Sequence, residues 1–377
     1  MVANRGGAFL IRFSARRDVA DCSAAIAAYR QALELVITGQ PERSGYLAQL
    51  GQSLRARHHE TGRTDDLYEA VIALREAIRL AGPAHRDSSR LCSLLGAALL
   101  ARYLWHGSVQ DLHEAIEWHD RAVADRPGER AGRARSLASR AFALRIRAQR
   151  SHDPGEIAAA IDACRQTVDA ETDTARLPDR LATLGAALDL RRESAAEVTE
   201  TIAVRRRACE LAAPDEHYRG PWLADLGNSL RTRAALCGGD GGDDDLREAH
   251  SLHLAAVEST PPGHREYAMV LSNLAGSFRD HYVRFNRHAD LLAAINLLRR
   301  TAGLATAPMT RRLVAAQTWG RGDGLPRTLA SGPRPARATP PRSRCFRRPP
   351  GAAPTARARN SHCGTSGGLP RKPPPAR

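Results

Sequence analysis

The feature that most constrains the fold is a pair of helical segments that recurs about every 45 residues. In the copy spanning 63–107, apolar residues fall three or four positions apart in both halves, as on one face of an α-helix. The central residues of the first halves are spaced by 45, 45, 45, 41, 48 and 45 residues; they are Ile26, Val71, Ile116, Ile161, Ile202, His250 and Ile295. One such pair buries only one face of each helix and needs neighbours. The repetition therefore predicts an all-α solenoid of helical hairpins.

The limits of the array follow from where this pattern starts and stops. Complete copies are expected near 19–62, 63–107, 108–153, 154–196, 197–243 and 244–287, with a partial copy near 288–320. Residues 1–18 form a basic lead-in that is either loose or paired with the first helix. From residue 321 the apolar periodicity is lost, and such a segment buries too little apolar surface to offset the entropy of ordering. Residues 321–377 are therefore predicted to be a disordered Arg/Pro-rich tail, and their composition also fits an out-of-frame reading of a GC-rich gene.

The formal net charge of +15 belongs almost entirely to that tail. Residues 321–377 hold 12 arginines, Lys372 and a single acid, Asp323, whereas the preceding residues carry 43 basic and 40 acidic side chains. Nucleic-acid binding is therefore expected only non-specifically, through neutralisation of phosphates by the tail. Base stacking is not supported, because Phe346 is the only aromatic residue there.

Two charged columns recur through the repeats. An acidic residue opens the first helix of all seven copies: Asp21, Asp66, Asp111, Glu156, Glu197, Asp245 and Asp290. A carboxylate there can accept from free backbone N–H groups and oppose the helix dipole, so we predict that the column caps helices. An arginine recurs late in the second helix, at Arg57, Arg102, Arg147, Arg191 and Arg233, with His281 in the sixth copy. These arginines either form a basic ladder that binds an acidic partner, or pair with the acidic residues that open neighbouring helices.

Other candidate partner-binding residues are individual to one copy. Tyr68, Tyr103 and Trp105 lie at the edges of the 63–107 unit and are what remains individual to it once the columns are set aside. The position three residues after each first-helix centre also varies: Tyr29, Leu74, His119, Cys164, Arg205, His253 and Leu298. Such variation is typical either of a ligand-facing surface or of a permissive packing edge.

The columns resemble a known kind of repeat. The unit D-L-x-E-A-I … A … P … L-x-x-L-G-x-x-L-x-x-R is similar to the tetratricopeptide-like arrays of actinobacteria, which often precede a caspase-like CHAT peptidase domain. The resemblance covers about residues 19–320, and AAQTWG at 315–320 resembles the start of the segment that follows such arrays. It implies a right-handed superhelix with the first helices lining one wall, and a protein or peptide partner. The peptidase domain itself is absent, and no catalytic residue is carried over, because Cys345, His362 and Cys363 lie in the Arg/Pro-rich tail.

No catalytic, cofactor or metal site is predicted. His58-His59-Glu60 lacks the H-E-x-x-H spacing, and the GGDGGDDD run at 238–245 lacks the ordered ligand spacing of a calcium loop. The seven cysteines show no C-x-x-C spacing, and several fall in apolar columns, so buried thiols and a cytoplasmic location are expected. No run approaches the ~20 apolar residues of a membrane span.

These observations predict a non-enzymatic protein–protein interaction scaffold. One alternative is a truncated recognition region of a CHAT-domain peptidase, and another is a nucleic-acid-associated protein that acts through its basic tail. The partial last copy lacks a polar cap, so self-association at the C-terminal end of the array is also expected.

Overall fold

The computed structural model describes residues 2–16, 18–37, 40, 42–82, 85–124, 130–213, 215–305, 307 and 309–321. The chain divides into a unit spanning 1–332 and a second unit spanning 333–377, and every described residue belongs to the first. The expectations for the tail, namely disorder, an out-of-frame origin and binding to nucleic acid, lie outside the described residues.

Fifteen α-helices account for nearly all of the described residues, and no β-strand occurs among them. They are α1 Val2–Arg16, α2 Val19–Leu35, α3 Glu42–Thr61, α4 Asp65–Ala81, α5 Ser88–His106, α6 Val109–Ala124, α7 Arg130–Ser151, α8 Pro154–Ala170, α9 Leu177–Leu188, α10 Ala195–Leu211, α11 Arg219–Cys237, α12 Asp243–Glu258, α13 Tyr267–Phe285, α14 His288–Gly303 and α15 Met309–Arg321. Short 3₁₀ turns follow α9 and α11. The prediction of an all-α, tetratricopeptide-like array of helical hairpins is confirmed.

Each odd-numbered helix packs unequally against its two even-numbered neighbours. Each odd helix packs most extensively against the even helix that follows it, and less extensively against the even helix that precedes it. Several odd helices also contact the next odd helix directly, as α3 does α5 and α5 does α7. The pairs chosen from the sequence begin with an even helix, whereas the closest-packed pair begins with an odd one. Periodicity shows the repeat length but not where the unit starts, because each helix has neighbours on both sides.

The basic lead-in is an odd helix of the array. Gly6, Phe9 and Arg12 of α1 lie 45 residues before Gly51, Leu54 and Arg57 of α3, so α1 repeats the α3 pattern. It packs against α2, and Arg12 forms an ion pair with Asp21. Of the two states considered for residues 1–18, the structure shows pairing with the next helix.

The apolar columns of both helix types form the core. On the odd helices, full burial is reached by Leu54, Leu99 and Leu230. On the even helices, the central residues Ile26 and Ile202 are each only 1% exposed. Full burial of a leucine-sized side chain contributes roughly 1.5–3 kcal/mol. One column is broken at Arg140, whose Nε lies 2.5 Å from Asp120 Oδ1, so the charge is paired at the surface.

Small residues on the odd helices make room for the variable column of the even helices. A Cβ added to Gly51 would lie 2.6 Å from Leu74 Cγ, and one added to Gly96 would lie 2.7 Å from His119 Cε1. Leu74 and His119 are 1% and 0% exposed. The variable position is therefore a buried packing position whose side chain covers the glycine of the preceding odd helix.

Arginines at the start of odd helices cap the preceding even helices. Arg43 Nη1 donates to the carbonyl oxygens of Leu33 and Val36, at 2.9 and 3.3 Å. Arg219 Nη1 repeats this arrangement with two carbonyls at the end of α10, both at 2.9 Å. These contacts satisfy carbonyl groups that have no partner within their own helix.

The close approach over Gly51 predicts a difference between two glycines of the same helix. Gly51→Ala should lower the free energy of unfolding by about 1–3 kcal/mol, because the new methyl group meets Leu74. A Cβ added to Gly45 would have no neighbour within 4 Å. Gly45→Ala should therefore raise the free energy of unfolding by about 0.5–1 kcal/mol, because alanine has the higher helix propensity. Urea denaturation of the full chain measures both, and a Gly51→Ala variant as stable as Gly45→Ala would contradict this account of the packing.

Candidate interaction surface

The arginine column joins each odd helix to the even helix that follows it. In each link a guanidinium near the end of one helix contacts a carboxylate in the first turn of the next. The shortest N···O distances are 2.7 Å for Arg57–Asp66, Arg102–Asp111 and Arg233–Asp245, 3.0 Å for Arg147–Glu156 and 3.3 Å for Arg191–Glu197. In the sixth copy His281 Nδ1 lies 3.9 Å from Asp290 Oδ2. The sequence alternative in which the two charged columns pair with each other is the one that the structure shows.

The acidic column therefore does less helix capping than expected. Glu197 closes a capping box with Ser194, but Asp66 and Asp111 direct their oxygens to arginine instead. Other residues accept from the free N–H groups: Asp18 caps α2 and Asp153 caps α8. A bidentate guanidinium is a stronger partner for a carboxylate than a backbone amide is. The carboxylates of Asp66 and Asp111 therefore contact arginine and do not cap their own helices.

The Arg57, Arg102 and Arg233 links are largely removed from solvent, whereas the Arg191 side chain is 42% exposed. The side chains of Arg102 and Asp111 are 15% and 8% exposed. Hydrogen bonding to Asp66, Asp111 and Asp245 raises the pKa of Arg57, Arg102 and Arg233 respectively. The arginines are thus engaged in packing, and binding of a partner by Arg57, Arg102, Arg147, Arg191 or Arg233 stays a prediction.

The aromatic residues individual to 63–107 lie at one edge of the array. Trp105 is 54% exposed, and its ring meets that of His58 edge to face, with centroids 5.4 Å apart. Tyr68 is 46% exposed, and the Arg102 guanidinium carbon lies 5.4 Å from its ring centroid. Tyr103 is half-buried and packs against the core. Tyr68 and Trp105 are therefore available at the surface, while partner binding by all three residues stays a prediction.

A cavity of about 1050 Å³ opens between the 3₁₀ turn after α9 and helices α11 and α13. Arg205 reaches its floor from α10 and donates to the carbonyl of Asp225 at 3.0 Å, to Asp189 and to Ser229. Burial raises the pKa of the Asp225 carboxyl. At the rim, Arg231 Nε donates to Asp280 Oδ2 at 2.6 Å. The charges in the floor and at the rim of this cavity are thus largely paired with one another.

A second cavity of about 540 Å³ crosses the odd helices α3, α5, α7 and α9. Leu100, Leu104 and Phe142 give it an apolar wall, and His119 lies in its floor. Arg55 also lines it, and the Nε atom of this arginine is buried without a hydrogen-bond partner. This cavity differs from the first in combining apolar side chains with an unpaired cation.

Both cavities lie on the face that the odd helices form, whereas the sequence did not indicate which wall of the array binds a partner. The position directly after the buried leucine column supplies lining residues to both, namely Arg55, Leu100, Asp189, Arg231 and Arg279. The arginine column described above lies two residues further on, and this position was not predicted to line a groove. Its signal in the sequence was a second, less regular arginine column, in which Arg55, Arg231 and Arg279 alternate with Leu100 and Asp189.

In the part of the chain that the structure describes, no group of three or more His, Cys, Asp or Glu side chains could hold a metal ion. Within the same residues, no helix combines the length and apolar character needed to cross a bilayer.

Comparisons with known proteins give structural neighbours only. No protein-family model and no curated protein matches the sequence. The yeast Tom70 crystal structure aligns over 81% of this chain and 59% of its own, at 13% identity and a TM-score of 0.45. Residues 1–338 of Acl4, an assembly chaperone of RpL4, align over 84% of this chain and 98% of their own, at 16% identity and a TM-score of 0.37.

The buried histidine below the second cavity predicts a pH-dependent stability. Burial lowers the pKa of His119 to about 4, well below its value of about 6.5 in an unfolded chain. Between those values the unfolded chain takes up a proton that the folded chain does not, so stability falls as the pH falls from 6.5 to 4.

Leucine occupies the equivalent position over Gly51, so His119→Leu should fold and lose part of this dependence. The difference in unfolding free energy between pH 7 and pH 5 should shrink by about 2 kcal/mol. Urea denaturation at the two pH values measures it, with His59→Leu as the control because the His59 side chain is 64% exposed. An unchanged pH dependence in His119→Leu would show that the residue is not held neutral.

Proposed function

We propose that this chain is a non-enzymatic protein-interaction scaffold that holds a protein or peptide partner along the face of its odd helices. The observation that carries the proposal is the position of the two cavities, of about 1050 and 540 Å³, on that one face. Their volumes fall within or near the range of about 300–1,000 Å³ that is typical of ligand sites. An array that stacks short repeats provides such a surface without a catalytic constellation.

The residues at these cavities also support binding rather than packing. Packing is carried by the leucine and glycine columns and by the arginine–carboxylate links, which lie on other sides of each odd helix. The side chains directly after the leucine column vary in charge and size and face the grooves. A position that lines a groove can change with the partner that it meets.

Two finer parts of the sequence interpretation belong to the same proposal. The resemblance to actinobacterial arrays supports association with a CHAT peptidase, and a search of the neighbouring genes for such a domain tests it. The side chains of Cys22, Cys92, Cys164 and Cys209 are buried, which supports a reducing, cytoplasmic location. Fractionation of the source cells tests that location. Self-association through α15, where Met309 and Val314 are 64% and 60% exposed, stays a prediction.

Matched tryptophan substitutions test the proposed face. Dodecapeptides are selected from a random display library against the full chain, and their affinities are measured by fluorescence anisotropy. Ala235 of α11 and Ala101 of α5 line the two cavities, so Ala235→Trp or Ala101→Trp should weaken the selected peptides by about tenfold or more through blocking the groove.

Ala203→Trp is the control, because Ala203 is an exposed residue of the even helix α10. Its affinities should stay within about twofold of those of the unsubstituted chain. The proposal is overturned if Ala203→Trp abolishes binding while both groove variants bind normally, or if selection yields no peptide that the groove variants affect.

A further inference from the structure

We propose that the groove across α3, α5, α7 and α9 takes an acidic peptide segment of a partner, with one carboxylate paired to Arg55 and an adjacent large apolar side chain on Leu104 and Phe142. The inference rests on the proposed function and names the chemistry of the partner at one of its two cavities.

Arg55 lacks a counter-charge in the described part of the chain. Its Nε is shut off from solvent without a hydrogen-bond partner, and within the described part of the chain no carboxylate lies at ion-pair distance from its side chain. Burial lowers its pKa, yet an arginine remains charged at neutral pH. Arg55 as a whole is partly buried, and a partly buried cation without a counter-charge is unfavourable, so a carboxylate from a partner would remove that cost.

The second argument is the charge of the surrounding groove. Arg135 of α7 is exposed and also has no carboxylate partner among the described residues. The one carboxylate that lines the groove, Asp179, already contacts Arg180 Nη1 at 2.9 Å. Arg180 in turn lies 3.2 Å from Glu171. The groove therefore presents two uncompensated positive charges, which complement an acidic ligand.

The third argument is the apolar wall beside Arg55. Leu104 is 56% exposed and Phe142 is 36% exposed, although each is large enough to favour burial. Leu100, at 6% exposure, continues this surface inward. Covering these side chains releases apolar area from water, and aromatic anchors in such pockets carry a large share of binding energy. The groove thus matches a segment in which an acid and a large apolar residue are neighbours.

The chain's own C-terminal residues are a poor occupant. Residues 321–377 carry 13 basic side chains and one acid, so they match the charge of the groove instead of complementing it. A partner segment rich in Asp or Glu is the occupant that the charges favour.

Degenerate peptide pools test this chemistry directly on the full chain. Four fluorescein-labelled dodecapeptide pools combine Asp/Glu with Leu/Phe, Asp/Glu with Ser/Asn, Lys with Leu/Phe, or Ser/Asn with Leu/Phe. The acidic–apolar pool should bind at least about tenfold more tightly than each of the others. Equal binding of the Lys-containing pool, or no binding of the acidic–apolar pool, overturns the inference.

Substitution of Arg55 separates recognition from folding. Arg55→Met should weaken the acidic–apolar pool by about tenfold or more and raise the melting temperature by about 2 °C, because an unpaired buried charge is removed. Arg55→Lys, which keeps the charge, should retain part of the affinity and covers the case in which Arg55→Met folds poorly. Arg207→Met is the control, since Arg207 is 60% exposed on α10 and its loss should change neither quantity. Unchanged affinity in both Arg55 variants overturns the inference.

Two further outcomes distinguish failure of the peptide assignment from failure of the acidic preference. If free hexanoate displaces the acidic–apolar pool at equal concentration, the occupant is a small carboxylate and the peptide assignment fails. If the uncharged apolar pool binds as tightly as the acidic one and Ala101→Trp weakens both, the acidic preference fails while the proposed function stands.

Discussion

The array depends on one interaction, the ion pair between a guanidinium at the end of an odd helix and a carboxylate at the start of the next even helix. Three of these pairs have N···O distances of 2.7 Å, and the Arg57 and Arg102 side chains are only 12% and 15% exposed. The link survives changes in the length of the turn. It spans nine residues in most copies, six in Arg191–Glu197 and twelve in Arg233–Asp245, where the inserted glycines and aspartates lie. In the copies that carry the arginine, the ion pair is thus kept while the loop length changes, and His281 replaces the arginine in the sixth copy.

Different sides of an odd helix make different contacts. The leucine and glycine positions pack on even helices, and the arginine three residues after the leucine contacts the next even helix. The position directly after the leucine is left to the grooves. Arg55 and Arg57 show the consequence, because they are two residues apart on α3 yet only Arg57 has a carboxylate partner in the described chain. Two arginines of one helix can therefore serve folding and recognition separately.

Apolar periodicity was sufficient to predict the helices, the repeat length and the buried columns, since these depend on spacing along the chain. The partners of charged residues were not predictable to the same degree. The column of Asp66 and Asp111 was expected to cap helices, because a sequence shows that a carboxylate begins a helix but not which donor is nearest. The groove was also missed, because the position after the leucine holds arginine in several copies but Leu100 or Asp189 in others, so it forms no regular column. The sequence left two alternatives open for the lead-in, a loose segment or one paired with the first helix, because Gly6, Phe9 and Arg12 repeat the α3 pattern over only a short segment.

The most direct measurement is a double-mutant cycle on Arg102 and Asp111, using Arg102→Met, Asp111→Asn and the combination in urea denaturation. The account predicts a coupling energy of about 1.5–3 kcal/mol, as for charge-assisted hydrogen bonds with little exposure. The Arg75–Glu114 pair between α4 and α6 is the reference, and the Arg75 side chain is 51% exposed. Its coupling should stay below about 1 kcal/mol. A coupling near zero for Arg102–Asp111, or one no larger than that of the exposed pair, would contradict the central role given to the link.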